Sequence, residues 1–562
     1  MRTPFSTWVT VLSFAVASYS VPTLAQWQPD GAPVTTAAGT QELPTITSDG
    51  AGGAIVTWSD RSGNGDIYAQ RIDASGFTPW TANGVALCTD AAQQGTPMIA
   101  SDGAGGAIVV WFDYRTGNND VYAQRIDASG AVQWTPDGVA LCTAPSQQFE
   151  PRIASDGAGG AIVVWYDFRN GNHDIFAQWI DASGVVQWTA DGVTLSAAAS
   201  HQYPHAIIPD DAGGAIVAWS DFRSGTHPDI YAQRIDAAGV VQWTTDGVPL
   251  STATGDEHLP VLVSDGAGGA IVTWRHIQVP ASYDIYAQRI DATGAVQWAV
   301  NGVPICTAAQ EQNFPAIASD GAGGAIVAWQ DMRSATGYYD IYAQRVNASG
   351  AVQWTNNGVA LCVAGEDQVD QVVASDGAGG AIVTWQDRRA GLFEADIYAQ
   401  RIDASGAVQW MPGGVAFCAA MSSQSYPAIV SSGPGVVIVT WEDYRDVFGY
   451  GDIYAHRVDT PTSVGNTPST AALTVLQNHP NPFTGTTELR IGLLSESNVS
   501  VEVYDVAGHR VRVQSLGTQS AGWNAIPFDG RDDAGHALVS GVYFYRFTAN
   551  GTTVSRKMVI TR

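Results

Sequence analysis

Six histidines fall between residues 173 and 276: His173, His201, His205, His227, His258 and His276. Imidazole binds transition metals and titrates near neutral pH, so this set, beside Asp256 and Glu257, could hold a divalent cation or form a pH-sensitive patch. The spacing matches no metal-ligand motif of the His-Glu-x-x-His kind; the sequence requires no metal, and solvated loop histidines are the alternative. A second set pairs an aspartate with an arginine two residues on: Asp113/Arg115, Asp167/Arg169, Asp221/Arg223, Asp331/Arg333, Asp387/Arg389 and Asp443/Arg445. Such a pair can cap and close a loop. Alternatively, Arg169, Arg223, Arg333, Arg389 and Arg445 offer a ring of ligand contacts. The third set is aromatic and charged: His276, Tyr283, Tyr338, Tyr339, Phe393, Glu394, Phe448 and Tyr450. For catalysis there is no Gly-x-Ser-x-Gly elbow, phosphate-cradling Gly-rich loop or lone reactive cysteine, and no carboxylate pair stands out among the 53 acidic residues.

All three sets hang on one repeated stretch. Its tryptophan recurs at Trp58, Trp111, Trp165, Trp219, Trp274, Trp329, Trp385 and Trp441, with a period drifting from 53 to 56 residues. Such self-similarity marks a stacked or radial array. Each repeat reads as four strands: Pro-x-Ile-Ala, a Ser-Asp-Gly-Ala-Gly-Gly hairpin turn, the unbroken apolar run Ala-Ile-Val-Val-Trp, then Asp-Ile-Tyr-Ala-Gln-Arg-Ile, and Ala-Val-Gln-Trp as the fourth. An apolar run without alternation suits a strand covered on both faces. A second tryptophan series, Trp27 to Trp410, also has eight members, so the array starts inside a repeat with a fourth-strand motif and stops after a third strand near Asp459. Pairing the leftover strand with the incomplete last repeat removes both open edges. The expectation is an all-β, eight-bladed propeller over residues 26–459, closed by its N-terminal strand. A β-solenoid is the competitor, but its rungs are shorter.

The inner strands resemble the Tol-associated type of β-propeller repeat, through Pro151, Ser155-Asp156-Gly157, Ala161 to Trp165, Asp167 to Gly171 and Asp174-Ile175. That resemblance supports the fold and implies no activity. Loops between second and third strands are longest in the later repeats, where they carry the aromatic set, and they share a face with the loops that hold most of the histidines. Ligands usually bind on such a face. The tryptophans themselves are read as packing, because a residue required once per repeat first fills space between blades.

Composition narrows the partners. A formal charge of −27 with a single lysine, Lys557, argues against nucleic acid. Cys88, Cys142, Cys306, Cys362 and Cys418 share one repeat position, too far apart to bridge, and read as small half-buried strand residues. Residues 1–25 read as a cleaved signal peptide: Arg2, an apolar core from Trp8 to Ala17, and Thr23-Leu-Ala25 as the cleavage site. No later stretch is apolar enough to span a bilayer.

Residues 460–473 form a Pro/Ser/Thr-rich linker, and 474–562 show alternating runs that suit a small Ig-like β-sandwich. Leu476 to Phe483, Val503 to Gly508, Phe528-Asp529-Gly530 and Ser540-Gly541-Val-Tyr543 resemble the C-terminal sorting domain of type IX secretion, and equally the Ig-like domain of flagellar hook-capping proteins. The motif positions are Asn481, Pro482, Phe483, Gly508, Asp529, Gly530, Gly541 and Tyr543; the usual Trp-Asp-Gly is Phe528-Asp529-Gly530 here, and the usual second Asn-Pro is Thr484-Gly485. The resemblance implies contact with secretion machinery. The expected protein is exported to the cell surface or medium and binds an extracellular protein or polysaccharide; the rival is a secreted carbohydrate-active hydrolase or lyase.

Overall fold

The computed structural model describes residues 27–561 except 29, 279–281, 335–336, 392–393, 447–448, 460–472, 476–477, 479–482, 494, 507 and 521, with the backbone alone at 204, 205, 278, 474, 522, 523 and 525. The signal-peptide expectation, most of the linker, and Asn481, Pro482, Phe393 and Phe448 lie outside these described residues. The chain divides into two compact units, Met1–Thr462 and Ser463–Arg562. Among the described residues every regular element is a strand.

In the first unit the repeat folds into four-stranded antiparallel sheets, numbered here in chain order. Sheet 3 is representative: Gln148–Ser155, Ala161–Asp167, Asp174–Ile180 and Val193–Ser196 lie side by side in that order. Asp156 organises the first turn, its Oδ1 accepting from the amides of Ala158 and Gly160 at 2.7 and 2.9 Å. Ala161–Asp167 is buried except at Tyr166, as a strand sandwiched between neighbours must be.

Two strand expectations need correction. The first strand begins at Gln148, not at Pro151. The fourth is Val193–Ser196, whereas Val185-Val-Gln-Trp188 makes only the isolated bridge Ile180↔Val186. The cause is Gln178, whose Nε2 donates to Thr189 O while its Oε1 accepts from the amides of Trp179 and Trp188. Those bonds stand in for a ladder and turn the segment outward. Trp188 then reaches the next sheet, its Nε1 donating to Ala237 O at 3.2 Å above Gly239, whose φ of 78° and lack of a Cβ let the indole approach.

Apolar cores lie between sheets. Trp165 shares one with Ile108, Val110, Val121 and Leu141 of sheet 2. The same arrangement joins the last sheet to the first, where Ala32, Val34, Ile438 and Ile453 meet Val56, Trp58 and Ile72. All eight repeat tryptophans of the first series are fully buried. The last sheet takes its outer strand from the chain start: Ala32–Thr35 pairs with Asp452–Asp459, Ala32 opposite Ala455. Near the turns, arginines from third strands staple six of the sheets to the next, the exceptions being sheet 3 and sheet 7, where among the described residues the Arg401 guanidinium bonds only Asp376 of its own sheet. Arg125 donates to Ala182 O at 2.9 Å and Arg234 to Ala292 O at 3.1 Å, and Arg457 of the last sheet reaches Ala74 O of the first at 2.7 Å. In sheet 3 that position is Trp179, which keeps only the bond inside its own sheet, Nε1 to Asp156 Oδ2 at 2.8 Å. The architecture is all-β and propeller-like.

The second unit is a sandwich. Leu473–Val475, Thr487–Leu493 and Gly522–Phe528 form one sheet; Arg510–Gln519, Ser497–Tyr504, Gly541–Ala549 and Thr552–Ile560 form the other. Leu489, Ile491, Val501, Tyr545, Phe547 and Met558 share its core. The motif positions serve this framework. Phe483 is buried and hydrogen-bonds through its backbone to Val559 and Thr561; Gly508 and Gly530 take positive φ in turns; Gly541 opens a strand; Asp529 accepts from Arg512, and the Tyr543 hydroxyl donates to Val539 O at 3.1 Å.

Candidate functional site

The Asp-x-Arg pairs sit where the second strand leaves the core. In sheet 7, Asp387 Oδ2 accepts from Trp385 Nε1 at 2.8 Å, and Oδ1 accepts from the Arg389 amide and Nε at 3.0 and 2.7 Å. Arg389 Nη2 also donates to Gly413 O at 2.8 Å, and the guanidinium lies 4.0 Å over the Tyr398 ring. Arg169, Arg223, Arg333 and Arg445 repeat this clamp, over Phe176, Tyr231, Tyr342 and Tyr454. Burial alone would raise the Asp113 carboxyl of the sheet 2 clamp, yet hydrogen bonds from Arg115 and Trp111 hold it below its ordinary range. The guanidinium groups thus face protein on several sides. The cysteines complete the clamps and are fully buried, not half-buried; burial pushes the Cys88 thiol up to about 12, which makes it unreactive.

A related carboxylate gives a pH test. Asp396, the residue paired with Asp387 across the hairpin, is pushed up to about 7 by burial first and then by Asp387. Its folded pKa exceeds its unfolded one, so the folded state holds the extra proton and stability falls as pH rises from about 4 to about 7. Asp396→Asn should therefore raise stability at pH 8 by on the order of 2 kcal/mol and leave it nearly unchanged at pH 4. Urea unfolding at the two pH values reads this; equal effects at both would refute it.

The histidines separate into distinct places. The rings of His173 and His201 lie 4.8 Å apart, tilted by 55°, within an aromatic arc that includes Phe149, Tyr166, Phe168 and Tyr203. His258 lies against Phe222, and the His205 side chain falls outside the description. His227 Nδ1 pairs with Asp256 Oδ1 at 2.8 Å. In sheet 5, which has no clamp, His276 stands in the aspartate position and Glu257 in a position that is glutamine in every other repeat; Nδ1 and Oε1 are 3.3 Å apart and both side chains are buried, beside a cavity of about 490 Å³. Trp274 Nε1, deprived of its aspartate, has no acceptor among the described residues. Among the described residues no three His, Cys, Asp or Glu side chains converge to hold a metal ion.

Of the loop aromatics, Tyr283 and Tyr339 come together beside Arg275. Tyr283 lies under Arg275 at 5.1 Å; the Tyr339 hydroxyl donates to Glu311 at 2.9 Å; Tyr338 is half-buried; Glu394 and Tyr450 are exposed.

What the structure does bring together was not singled out from sequence. Each first strand carries a β-bulge just after its opening Gln or Glu, and in seven sheets a non-glycine residue there takes positive φ: Leu43, Thr96, Glu150, Leu259, Phe314, Asp370 and Tyr426, between 47° and 56°. In sheet 4 the position is Pro204, whose ring forbids that conformation. Non-glycine residues in this region cost energy and gather at functional sites. Six of the seven line one cavity of about 530 Å³, walled by first strands from seven sheets and hence at the centre of the array. Since Gln148 pairs with Asp167, the bulges lie at the same end as the loops that follow the second strands. The signal was present in the repeat: between the opening Gln or Glu and the Pro that follows in most copies, the third position reads Leu, Thr, Glu, Pro, Leu, Phe, Asp and Tyr.

Solved structures with partial likeness include a protein of unknown function from Dyadobacter fermentans (10% identity, 77% of this chain and 98% of that one, TM-score 0.36) and a PL25 ulvan lyase bound to a GlcA–Rha3S saccharide (11%, 69% and 96%, TM-score 0.40). PorZ, a surface component of the type-IX secretion system of Porphyromonas gingivalis, is 12% identical over 90% of this chain and 74% of its own, with TM-score 0.27. No curated protein matches the chain. Residues 478–554 match the model of the FlgD Ig-like domain, which gives the C-terminal unit an Ig-like character.

Proposed function

We propose that this chain is an exported bacterial protein of the cell surface or medium, whose residues 26–459 close into an eight-bladed propeller that binds a ligand or partner protein in its central channel. The Ig-like tail serves sorting or attachment. Closure is supported by the pairing of Ala32–Thr35 with Asp452–Asp459, by the shared core of the first and last sheets, and by the Arg457 staple. Binding in the channel is carried by the bulge ring, in which a strained backbone recurs in seven of the eight sheets while the side chain it displays varies. A scaffold that only spaced material would have no use for that combination.

The test is a screen of the purified full chain against arrays of extracellular polysaccharides and proteins, repeated with Leu43→Asn and Leu259→Asn, since asparagine tolerates positive φ. Binding weakened at least about ten-fold by either substitution supports the reading. Release of reducing ends from a polysaccharide, or binding that ignores both substitutions, overturns it.

A further inference from the structure

Three consecutive members of the bulge ring are an aromatic, a carboxylate and an aromatic. Phe314, Asp370 and Tyr426 occupy the same position in sheets 6, 7 and 8, with φ of 49°, 54° and 52°. All three are exposed, Phe314 by 49% and Tyr426 by 55%, and all line the central cavity. Sheets 6 and 7 share a core, as do sheets 7 and 8, and Gln371 Nε2 donates to Phe314 O, so the order of the trio around the channel is fixed. Large apolar side chains exposed in a strained conformation need a reason that packing does not supply, because neither ring is buried by the fold.

Asp370 sharpens the question. Among the described residues no arginine or histidine forms an ion pair with it, and no hydrogen bond reaches its carboxyl. It shares a mostly apolar cavity with Pro315, Val372 and Pro427, in which Arg152 of sheet 3 is the one cation among the described lining residues. Removal from bulk water holds that carboxyl above its ordinary range, with Arg388 opposing. A carboxylate set in apolar surroundings attracts a cation more strongly than one in water. Aromatic faces on either side add a quadrupolar attraction for the same charge and cover an apolar stem. The charge of −27 on the whole chain favours the same sign of ligand.

We propose that Phe314, Asp370 and Tyr426 form a cradle for a cationic side chain, the ammonium of a lysine or the guanidinium of an arginine presented by an extracellular polypeptide, with the charge on Asp370 and the stem between the rings. The inference rests on the channel being the binding site and names the chemistry it takes.

Titration calorimetry of the full chain with three probes tests it: Nα-acetyl-lysine amide, Nα-acetyl-arginine amide and the uncharged Nα-acetyl-norleucine amide. The expected result is binding of a charged probe at least about ten-fold tighter than the norleucine probe, weakened by added salt. Asp370→Asn should erase that preference, and Phe314→Asn or Tyr426→Asn should weaken the charged probes several-fold. Each variant keeps a residue suited to positive φ, and an unchanged thermal midpoint certifies the fold. Equal affinity for all three probes, or a preference that survives Asp370→Asn, overturns the cradle. If the charged probes fail while the array screen finds a neutral or acidic ligand sensitive to Leu43→Asn, the cradle is wrong and the channel reading stands. Failure of both assays removes both.

Discussion

A chain lacking residues 27–36 should unfold at a midpoint roughly 5 °C lower than the intact protein and should associate with itself. The excised segment buries Ala32 and Val34 against Trp58 and Ile438, and supplies the Asp30 carbonyl that accepts from Arg445 Nη2 at 2.7 Å. Two buried aliphatic side chains and a hydrogen bond from a charged donor together are worth on the order of 5 kcal/mol. For a unit of this size each kcal/mol moves the midpoint by about 1 °C. Deletion also bares the edge of Asp452–Asp459, and an exposed edge strand recruits another chain. A synthetic peptide of residues 27–36 added in excess should restore both properties. Calorimetry and light scattering measure them, and an unaltered midpoint would mean that the strand merely decorates the last sheet.

Asp387→Ala is the second large effect, expected to cost about 3 to 5 kcal/mol in denaturant unfolding. It strips the acceptor from Trp385 Nε1 and leaves the Arg389 guanidinium with Gly413 O, Cys362 Sγ and the Tyr398 ring, none of them charged. Asp387→Asn keeps one oxygen, enough for one of the two pairs of donors, and should cost roughly half as much. The clamp is a device of stability: at a temperature where the variant is still folded, affinity in the channel should be unchanged. A variant as stable as the parent would return Arg389, and with it Arg169, Arg223, Arg333 and Arg445, to the candidates for direct ligand contact.

The strand register of the repeat was legible because burial on both faces forces an unbroken apolar run, and Ala161 to Trp165 is such a run. The fourth strand was misread for an equally physical reason. Trp188 looks like a strand residue by type, yet the Gln178 side chain consumes the backbone donors that a ladder would use, a tertiary event without a local pattern. The Asp-x-Arg pairs were visible as a motif, but two roles fitted the spacing. Only the indole and carbonyl partners, which come from distant positions such as Gly413, distinguish a clamp from a binding ring. The channel residues were the hardest to find, because Leu43, Phe314 and Tyr426 are ordinary apolar residues beside a proline. Their meaning lies in a dihedral angle, and dihedral angles are not written in composition.

The bond between Asp30 and Arg445 spans 415 residues of chain. Folding speed falls with the sequence distance that native contacts must bridge, since loop-closure entropy is lost before the contact returns anything. The segment synthesised early must therefore wait, unpaired, until nearly the entire array has been made. During that delay the nascent chain holds two sticky ends that fit each other and equally fit those of a neighbour. Crowded copies thus face a kinetic choice between self-sealing and chain-to-chain linkage, and dilution favours the first.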